Sequence, residues 1–484
     1  MLDAIDQLNS LESGTRLMIY FAFLLVLLLT IFLVYRYQER SLYLLFLAAY
    51  SQNFIVAFLH THGYIGLELA RALIVTKDLV LLELFVWSVI LLFKRFRPPL
   101  PRPLVPLLFL TGYCTFRFVV GVFFLGDDWW QGVTLVRYVW YPLEILLVVM
   151  VLTALYPGFG RRFLRDMTYI LSGLAVVAIG ILIFAPRDFW LENANIAELQ
   201  VDVKGESEHA SNSSAMTAGL STDTMLGDRS DEFGVLLNFR ASGTFGEALA
   251  LAFSVAAAVL LLLFYFKKSL LSVLSLTFTV GALLLSLTRS AWIFCAVVAV
   301  YVLIRRRRFR PLLVGACVVL TLFLAWPPLA NFASDSVSEL SGGPQTGHAE
   351  GIVWFYTREL LNLENIVGKG MATEAQTIYE SGYAYLLEHF GLIAYASFLW
   401  FCVSLYRQLR RACPGADGLS TLAQGVPLGI LIVMHFWYYP FAPSFFGSIW
   451  YIVGLCLGNY LVPRKELAGG AVEQRRQAPS LLPA

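Results

Sequence analysis

The sequence predicts an all-α fold, a polytopic bundle of transmembrane helices, and three observations carry that prediction. Hydrophobic residues make up 58% of the 484 positions, charged residues only 14%, and the mean hydropathy is +0.70. A soluble chain of this length would carry roughly 25% charged residues. Apolar runs of about 20 residues, enough to cross ~30 Å of hydrocarbon, recur from one end to the other. Between them, loops rich in Lys and Arg alternate with loops that hold fewer of both.

Taken in order, the apolar runs place spans at roughly 17–35, 41–60, 74–93, 104–125, 135–155, 167–185, 246–266, 270–287, 290–304, 311–327, 385–405, 422–439 and 446–462. About thirteen spans are therefore expected, the run at 290–304 being the shortest and a candidate for a tilted or broken helix. The chain divides into N-terminal membrane helices (1–185), a polar loop (186–245), a second helical block (246–327), a large loop (328–384), C-terminal helices (385–462) and a tail (463–484).

Orientation follows from the cations. Arg36, Arg40, Lys94, Arg95, Arg97, Arg102, Arg161, Arg162, Arg165, Lys267, Lys268, Arg305–Arg308, Arg310, Arg407, Arg410, Arg411, Arg464, Lys465, Arg475 and Arg476 fall in alternate loops and hold most of the chain's 35 Lys and Arg. The positive-inside rule makes those loops cytoplasmic, with the N-terminus outside and the C-terminus inside. The run RRRRFR at 305–310 reads the same way, as a topology determinant facing anionic lipid, and no nucleic-acid partner is expected. The first sixteen residues carry Asp3, Asp6 and Glu12, whereas a signal peptide opens on a basic segment, so the first span is expected to stay as an anchor. The six cysteines and six histidines show neither disulfide nor metal-ligand spacing, and no cofactor or metal is expected.

Two outer segments break the apolar pattern. Residues 186–245, with VDVKGESEHASNSSAMTAGLSTDTMLGDRSDE, are too polar to fold alone. In the loop 328–384, EGIVWFYTRELLNLEN spaces Ile352, Phe355, Tyr356, Leu360 and Leu363 as an amphipathic surface helix that carries Arg358, and GKG at 368–370 forces a turn. Chemistry-bearing residues gather on this outer side. Arg240 stands where the polar loop re-enters the membrane. Arg289 occupies a short turn that would ordinarily favour Gly, Asn or Asp. A guanidinium near the hydrocarbon boundary is expensive unless paired, and its two-pronged donor set suits a phosphate or pyrophosphate. Glu380, with Tyr383 nearby, opens the span at 385–405 and is a candidate general base, with His348 a weaker catalytic alternative. Lys77, Asp78, Glu83, Arg117, Arg137 and Glu144 are charges inside spans, expected to pair among themselves or else to line a substrate groove.

RASGTFGEALALA (240–252), SLTRSAWIF (286–294), and GKG followed by ESGYAYLLEHFGLIAYASFLWF (380–401) resemble, in that order, three motif blocks of the O-antigen ligase and polymerase superfamily of bacterial inner membranes. The resemblance covers roughly residues 235–410. It implies a metal-independent glycosyltransferase of the GT-C kind, acting on glycan linked to undecaprenyl pyrophosphate at the periplasmic face. By position, Arg240 and Arg289 would bind and stabilise the pyrophosphate leaving group, with Arg358 and Tyr383 as further substrate contacts. The chain also departs from the pattern. Counting back from Gly391, the ligases' His falls on Glu380, their Asn on Ser381 and their Glu on His389, and the Asn pair after GTF is replaced by Glu247 and Leu249. A carboxylate at the reactive position is more like the polymerases, which join repeat units. The expected function is therefore an exopolysaccharide or O-antigen polymerase. A ligase-type transferase, or a non-catalytic membrane component working with other polysaccharide-assembly proteins, stands as the alternative.

Overall fold

A computed structural model describes residues 28–96, 101–127, 129–184, 248–286, 288–308, 364–368, 381–412, 418–435 and 443–461, together with positions 21, 25, 360 and 362. All regular structure among these residues is helical. Residues 28–36 are helical and lead into α1 (Gln38–Thr61) and α2 (Leu67–Leu91, continued by a π-turn, Leu92–Phe96). Then come α3 (Leu104–Val120, with a π-turn at Gly121–Leu125), α4 (Trp129–Leu155), α5 (Phe159–Phe184), α6 (Ala248–Phe264), α7 (Leu270–Leu285) and α8 (Arg289–Arg305). After a single turn, Glu364–Val367, follow α9 (Gly382–Phe390), α10 (Leu392–Ala412), α11 (Gly418–Val433) and α12 (Pro443–Leu461). Among the described residues, five helices are long and apolar enough to cross a membrane: Gln38–Thr61, Leu104–Leu125, Leu135–Leu155, Phe159–Phe184 and Leu392–Arg411. Five shorter apolar helices lie in α6, α7, α8, α11 and α12.

The helices follow the apolar runs closely, with one break. The run at 385–405 is two helices, because Gly391 takes φ +85° and ends α9. That conformation is open to glycine and strained for other residues. The short run at 290–304, by contrast, is one uninterrupted helix, α8. The span at 311–327, both large loops apart from the residues around 360–368 and from 381–384, and the tail lie outside the described residues.

Two buried helices form the centre. In α6 every described residue from Ala250 to Leu262 is buried, the pattern of a helix surrounded on all sides. Within α4, Val139 and Tyr141–Leu152 are likewise buried. The most extensive helix contact joins α4 to α12, and glycine sets its closeness. A Cβ at Gly454 would lie 3.0 Å from Val149 Cβ, and one at Gly458 would lie 2.7 Å from the Met150 carbonyl oxygen. Gly454 and Gly458 are spaced four apart on one face, the small-residue motif that lets backbones meet where lipid removes the hydrophobic drive for association. A second such pair serves α11 against α8: a Cβ at Gly429 would sit 2.7 Å from the Phe294 ring, and one at Gly425 3.1 Å from the Tyr301 ring. Hydroxyls inside the bundle are satisfied locally. Thr111, Thr153, Thr168, Ser172, Ser254 and Thr279 each donate to the carbonyl four residues back.

Contacts between helix ends sort them into two sides. Tyr156 donates to Gln38 Oε1 at 2.7 Å, Tyr43 to Asp166 at 2.9 Å, and Arg162 pairs with Glu39 at 3.7 Å. The ring of Phe266, just past α6, meets Tyr169 on α5, and Arg306 Nη2 donates to the Phe264 carbonyl at 3.3 Å. Arg40, Arg161, Arg162, Arg165, Lys267, Lys268 and Arg305–Arg308 thus share one end of the bundle, the basic end. The start of α8 and all of α9 lie at the other.

Replacing Gly458 by Leu is expected to force α12 off α4, an overpacking worth about 1–3 kcal/mol. The thermal midpoint of the detergent-purified protein should fall by several degrees. Gly112→Leu is the control, since nothing lies within 4 Å of a Cβ there. Equal midpoints for the two variants would contradict the packing account.

Candidate functional site

Of the residues that the sequence singles out, Tyr383 and the start of α8 at Arg289 lie at the non-basic end, and α9 organises it. Ser381 caps this helix, its hydroxyl accepting from the Ala384 amide at 3.4 Å and donating to the Met434 carbonyl at 3.1 Å. The Gly382 amide donates to the same carbonyl at 2.8 Å. These bonds pin the start of α9 to the end of α11. On the helix itself, Tyr383 is buried. Its hydroxyl donates to the Leu431 carbonyl at 2.7 Å, and its ring meets Tyr395, Phe398 and His435 edge-on. Tyr385 reaches the other way, donating to the Leu135 carbonyl of α4 at 3.1 Å. The helix is therefore bolted between α4 and α11 by tyrosine hydroxyls and a cap. Glu380 is the residue immediately before that cap. It lies outside the described residues, as do Arg240 and Arg358.

The far end of α9 is fixed by glycine. Gly368, at φ +88°, and Gly391 press backbone to backbone. A Cβ on Gly368 would lie 2.7 Å from the Gly391 nitrogen, and one on Gly391 2.6 Å from the Ile366 carbonyl oxygen. Both positions thus require glycine twice over, by conformation and by space. Gly368, the first residue of the GKG where a turn is expected, lies against the glycine that breaks the following span; Lys369 and Gly370 lie outside the described residues. Arg117 of α3 completes the joint: its Nη2 donates to the Gly368 carbonyl at 3.1 Å. Sequence reading counted Arg117 only as a charge inside a span. The glycines that frame its acceptor were visible, but nothing in the sequence linked residues so far apart.

Arg289 is the first residue of α8, directly after the N-cap Thr288. Its turn contains no glycine, contrary to the preference expected for so short a connection. Ser286 and Thr288 both have negative φ, at −70° and −94°. Side chains close the turn instead. Ser286 Oγ donates to the Leu283 carbonyl at 2.7 Å, and Thr288 Oγ1 to the Ser286 carbonyl at 3.2 Å. From across the turn, Trp292 Nε1 donates to the Leu283 carbonyl at 2.8 Å. Ser286, Thr288 and Ser290 are buried.

Among the described residues, the charges inside the bundle form an ion pair and several hydrogen bonds. Arg137 Nη1 lies 3.0 Å from Asp78 Oδ2, and Tyr141 donates to Asp78 Oδ1 at 2.7 Å. Arg137 also stacks over the Tyr138 and Tyr141 rings, with the buried Glu144 two turns further along the same helix. Glu83 accepts from Thr30 at 3.0 Å, and Lys77 donates to Asn53 at 3.4 Å. Among the described residues no three His, Cys, Asp or Glu side chains form a group able to hold a metal ion.

Comparison of the chain with protein families, with curated proteins and with solved structures finds no match.

If the Gly368–Gly391 joint holds α9, Gly391→Ala should loosen it. Amides of α9 are expected to exchange hydrogen faster by about tenfold or more, since a forced 1–3 kcal/mol of strain lowers the local opening free energy by that amount. Gly180→Ala, where a Cβ meets open space, should leave them unchanged. Unaltered exchange in Gly391→Ala would refute the joint.

Proposed function

We propose that this chain is a polysaccharide polymerase of a bacterial inner membrane, a metal-independent transferase of the GT-C kind. It spans the bilayer about thirteen times, with the basic end in the cytoplasm and α9 with the start of α8 at the periplasmic face. Its substrate is a glycan repeat unit on undecaprenyl pyrophosphate. The observation that supports this reading best is the order and placement of the motif blocks. Gly368 and residues 381–391, joined through Gly368 and Gly391, lie at the end of the bundle that also carries the start of α8.

On this reading a hydroxyl of the acceptor glycan attacks the anomeric carbon of the lipid-linked sugar. The new C–O bond forms as the bond to pyrophosphate breaks, the proton passes to the Glu380 carboxylate, and polyprenyl pyrophosphate leaves. Arg240 and Arg289 neutralise the charge that develops on it, aided by Arg358 from the surface helix. Tyr383, whose hydroxyl is spent on the Leu431 carbonyl, serves the site by holding α9, on which the position of Glu380 depends.

A deletion strain complemented with variants tests the reading. Loss of long polymer with accumulation of single repeat units is expected. Polymer that is still made but no longer attached to its lipid acceptor would indicate a ligase instead. Glu380→Gln keeps shape and removes basicity, so the rate should fall roughly 10²–10⁴-fold at unchanged protein level. Arg289→Lys should also impair polymer formation, because lysine lacks the two-pronged contact. Normal polymer from Glu380→Gln, combined with loss in His348→Ala, would move the base elsewhere in the loop. Normal polymer from all of these variants would leave the chain a non-catalytic component.

A further inference from the structure

We propose that Trp292 is a positioning residue for Arg289, acting through the hydrogen bond from its indole to the end of the preceding helix. The proposal rests on the reading that Arg289 holds the leaving pyrophosphate. An α-helix leaves its last four carbonyls without intrahelical donors. In α7 the Leu283 carbonyl is one of these, and it accepts from both Ser286 Oγ and Trp292 Nε1, at 2.7 and 2.8 Å. The two donors differ in what they fix. Ser286 belongs to the end of α7 itself, whereas Trp292 is the fourth residue of α8. A helical side chain leans back over the turn that precedes its own Cα. The indole therefore crosses the first turn of α8, the turn that begins with Arg289, and ties it to the last turn of α7.

The tie matters because the hydroxyl bonds of Ser286 and Thr288 to the Leu283 and Ser286 carbonyls stay within residues 283–288, whereas the indole bond reaches back from α8 itself. Ser286 and Thr288 lie in ordinary regions of backbone space, and residues 286–289 contain no glycine or proline to define the turn. The contact between α7 and α8 is also slight beside that of α8 with α11. Without the indole bond, the Ser286 and Thr288 bonds and the packing of α8 on α11 and of α7 on α5 and α6 remain, but the first turn of α8 is tied less closely to the end of α7. A bidentate phosphate contact tolerates little displacement, and misplacement by about 1 Å can cost on the order of 10²-fold in rate. Trp292 is the W of SLTRSAW, so a spacing of three residues after Arg289 would be the geometry's requirement.

The experiment is a double-mutant cycle on the full chain in membranes, with the rate of polymer formation as the readout. The proteins are the natural chain, Trp292→Phe, Arg289→Lys and the double variant. Phe keeps an aromatic ring and removes the donor. We expect Trp292→Phe to lose roughly ten- to a hundredfold, and the double variant to be no slower than Arg289→Lys alone within about twofold, since interacting sites are not additive. Losses that multiply would show that Trp292 acts elsewhere and overturn the proposal. Should Trp292→Phe accumulate poorly, incorporating 3-benzothienylalanine at position 292 replaces only the N–H by sulfur in an isosteric ring, and the same losses are expected. Full activity in both the Phe and benzothienyl proteins, with Arg289→Lys impaired, would remove Trp292 and leave the reading of Arg289 intact. Full activity in Arg289→Lys would remove both.

Discussion

Close approach of backbones at glycine is the constraint on which this structure depends. Gly454 and Gly458 let α12 lie against α4, Gly425 and Gly429 let α11 lie against α8, and Gly368 meets Gly391 at the start of α10. In each case a Cβ would have to occupy space already held by a neighbour. Between apolar helices in lipid, dispersion and short-range polar contacts supply the attraction, so a separation wider by one methyl group forfeits much of it. Once α4 and α11 are fixed in this way, their ends present the Leu135, Leu431 and Met434 carbonyls to α9. The tyrosines and serine of α9 then have defined acceptors. The helix that leads from Glu380 thereby acquires its position from packing at the centre of the bundle.

Many polar groups inside the bundle find a partner in the protein. Hydroxyls on most helices do so within one turn. The longer side chains bridge helices: Arg137 to Asp78, Lys77 to Asn53, Thr30 to Glu83, Arg117 to the turn at Gly368. Arg117 spends its charge on a backbone carbonyl, a contact that secures the joint between the large loop and α9. The two ends of the bundle differ accordingly. At the basic end, described cations sit on helix ends and make modest ion pairs such as Arg162 with Glu39, 3.7 Å apart and partly exposed, which contribute little to stability. At the other end, the described contacts of α9 and of the turn at residue 368 are directed at backbone carbonyls.

Most of the helical layout was legible because apolar length and basic alternation are strong, local signals. The start of α3 at Leu104 coincides with the start of its apolar run, and α8 proves continuous despite the brevity of its run. The break at Gly391 was not legible. An apolar run reads the same whether or not it bends, and the reason for the bend lies in Gly368, distant in sequence. The same holds for the turn before Arg289: residue preferences favour glycine there, but tertiary hydrogen bonds from Ser286 and Trp292 override the preference. Of the candidate site, Tyr383 and Arg289 could be placed on their helices, while the roles of Arg117 and Trp292 became visible only from contacts across the fold. Arg240, Arg358 and Glu380 rest on the pattern of the sequence alone.

The central claim is that this chain itself transfers glycan from a lipid carrier. The most direct measurement uses the purified protein in lipid nanodiscs with a polyprenyl-pyrophosphate-linked oligosaccharide and no other protein, followed by mass analysis of glycan and lipid products. The account requires oligosaccharides lengthened by whole repeat units, with one polyprenyl pyrophosphate released for each addition and no dependence on added metal ions. Unchanged substrate in the presence of correctly folded protein, or transfer that proceeds equally with Glu380→Gln, would contradict it.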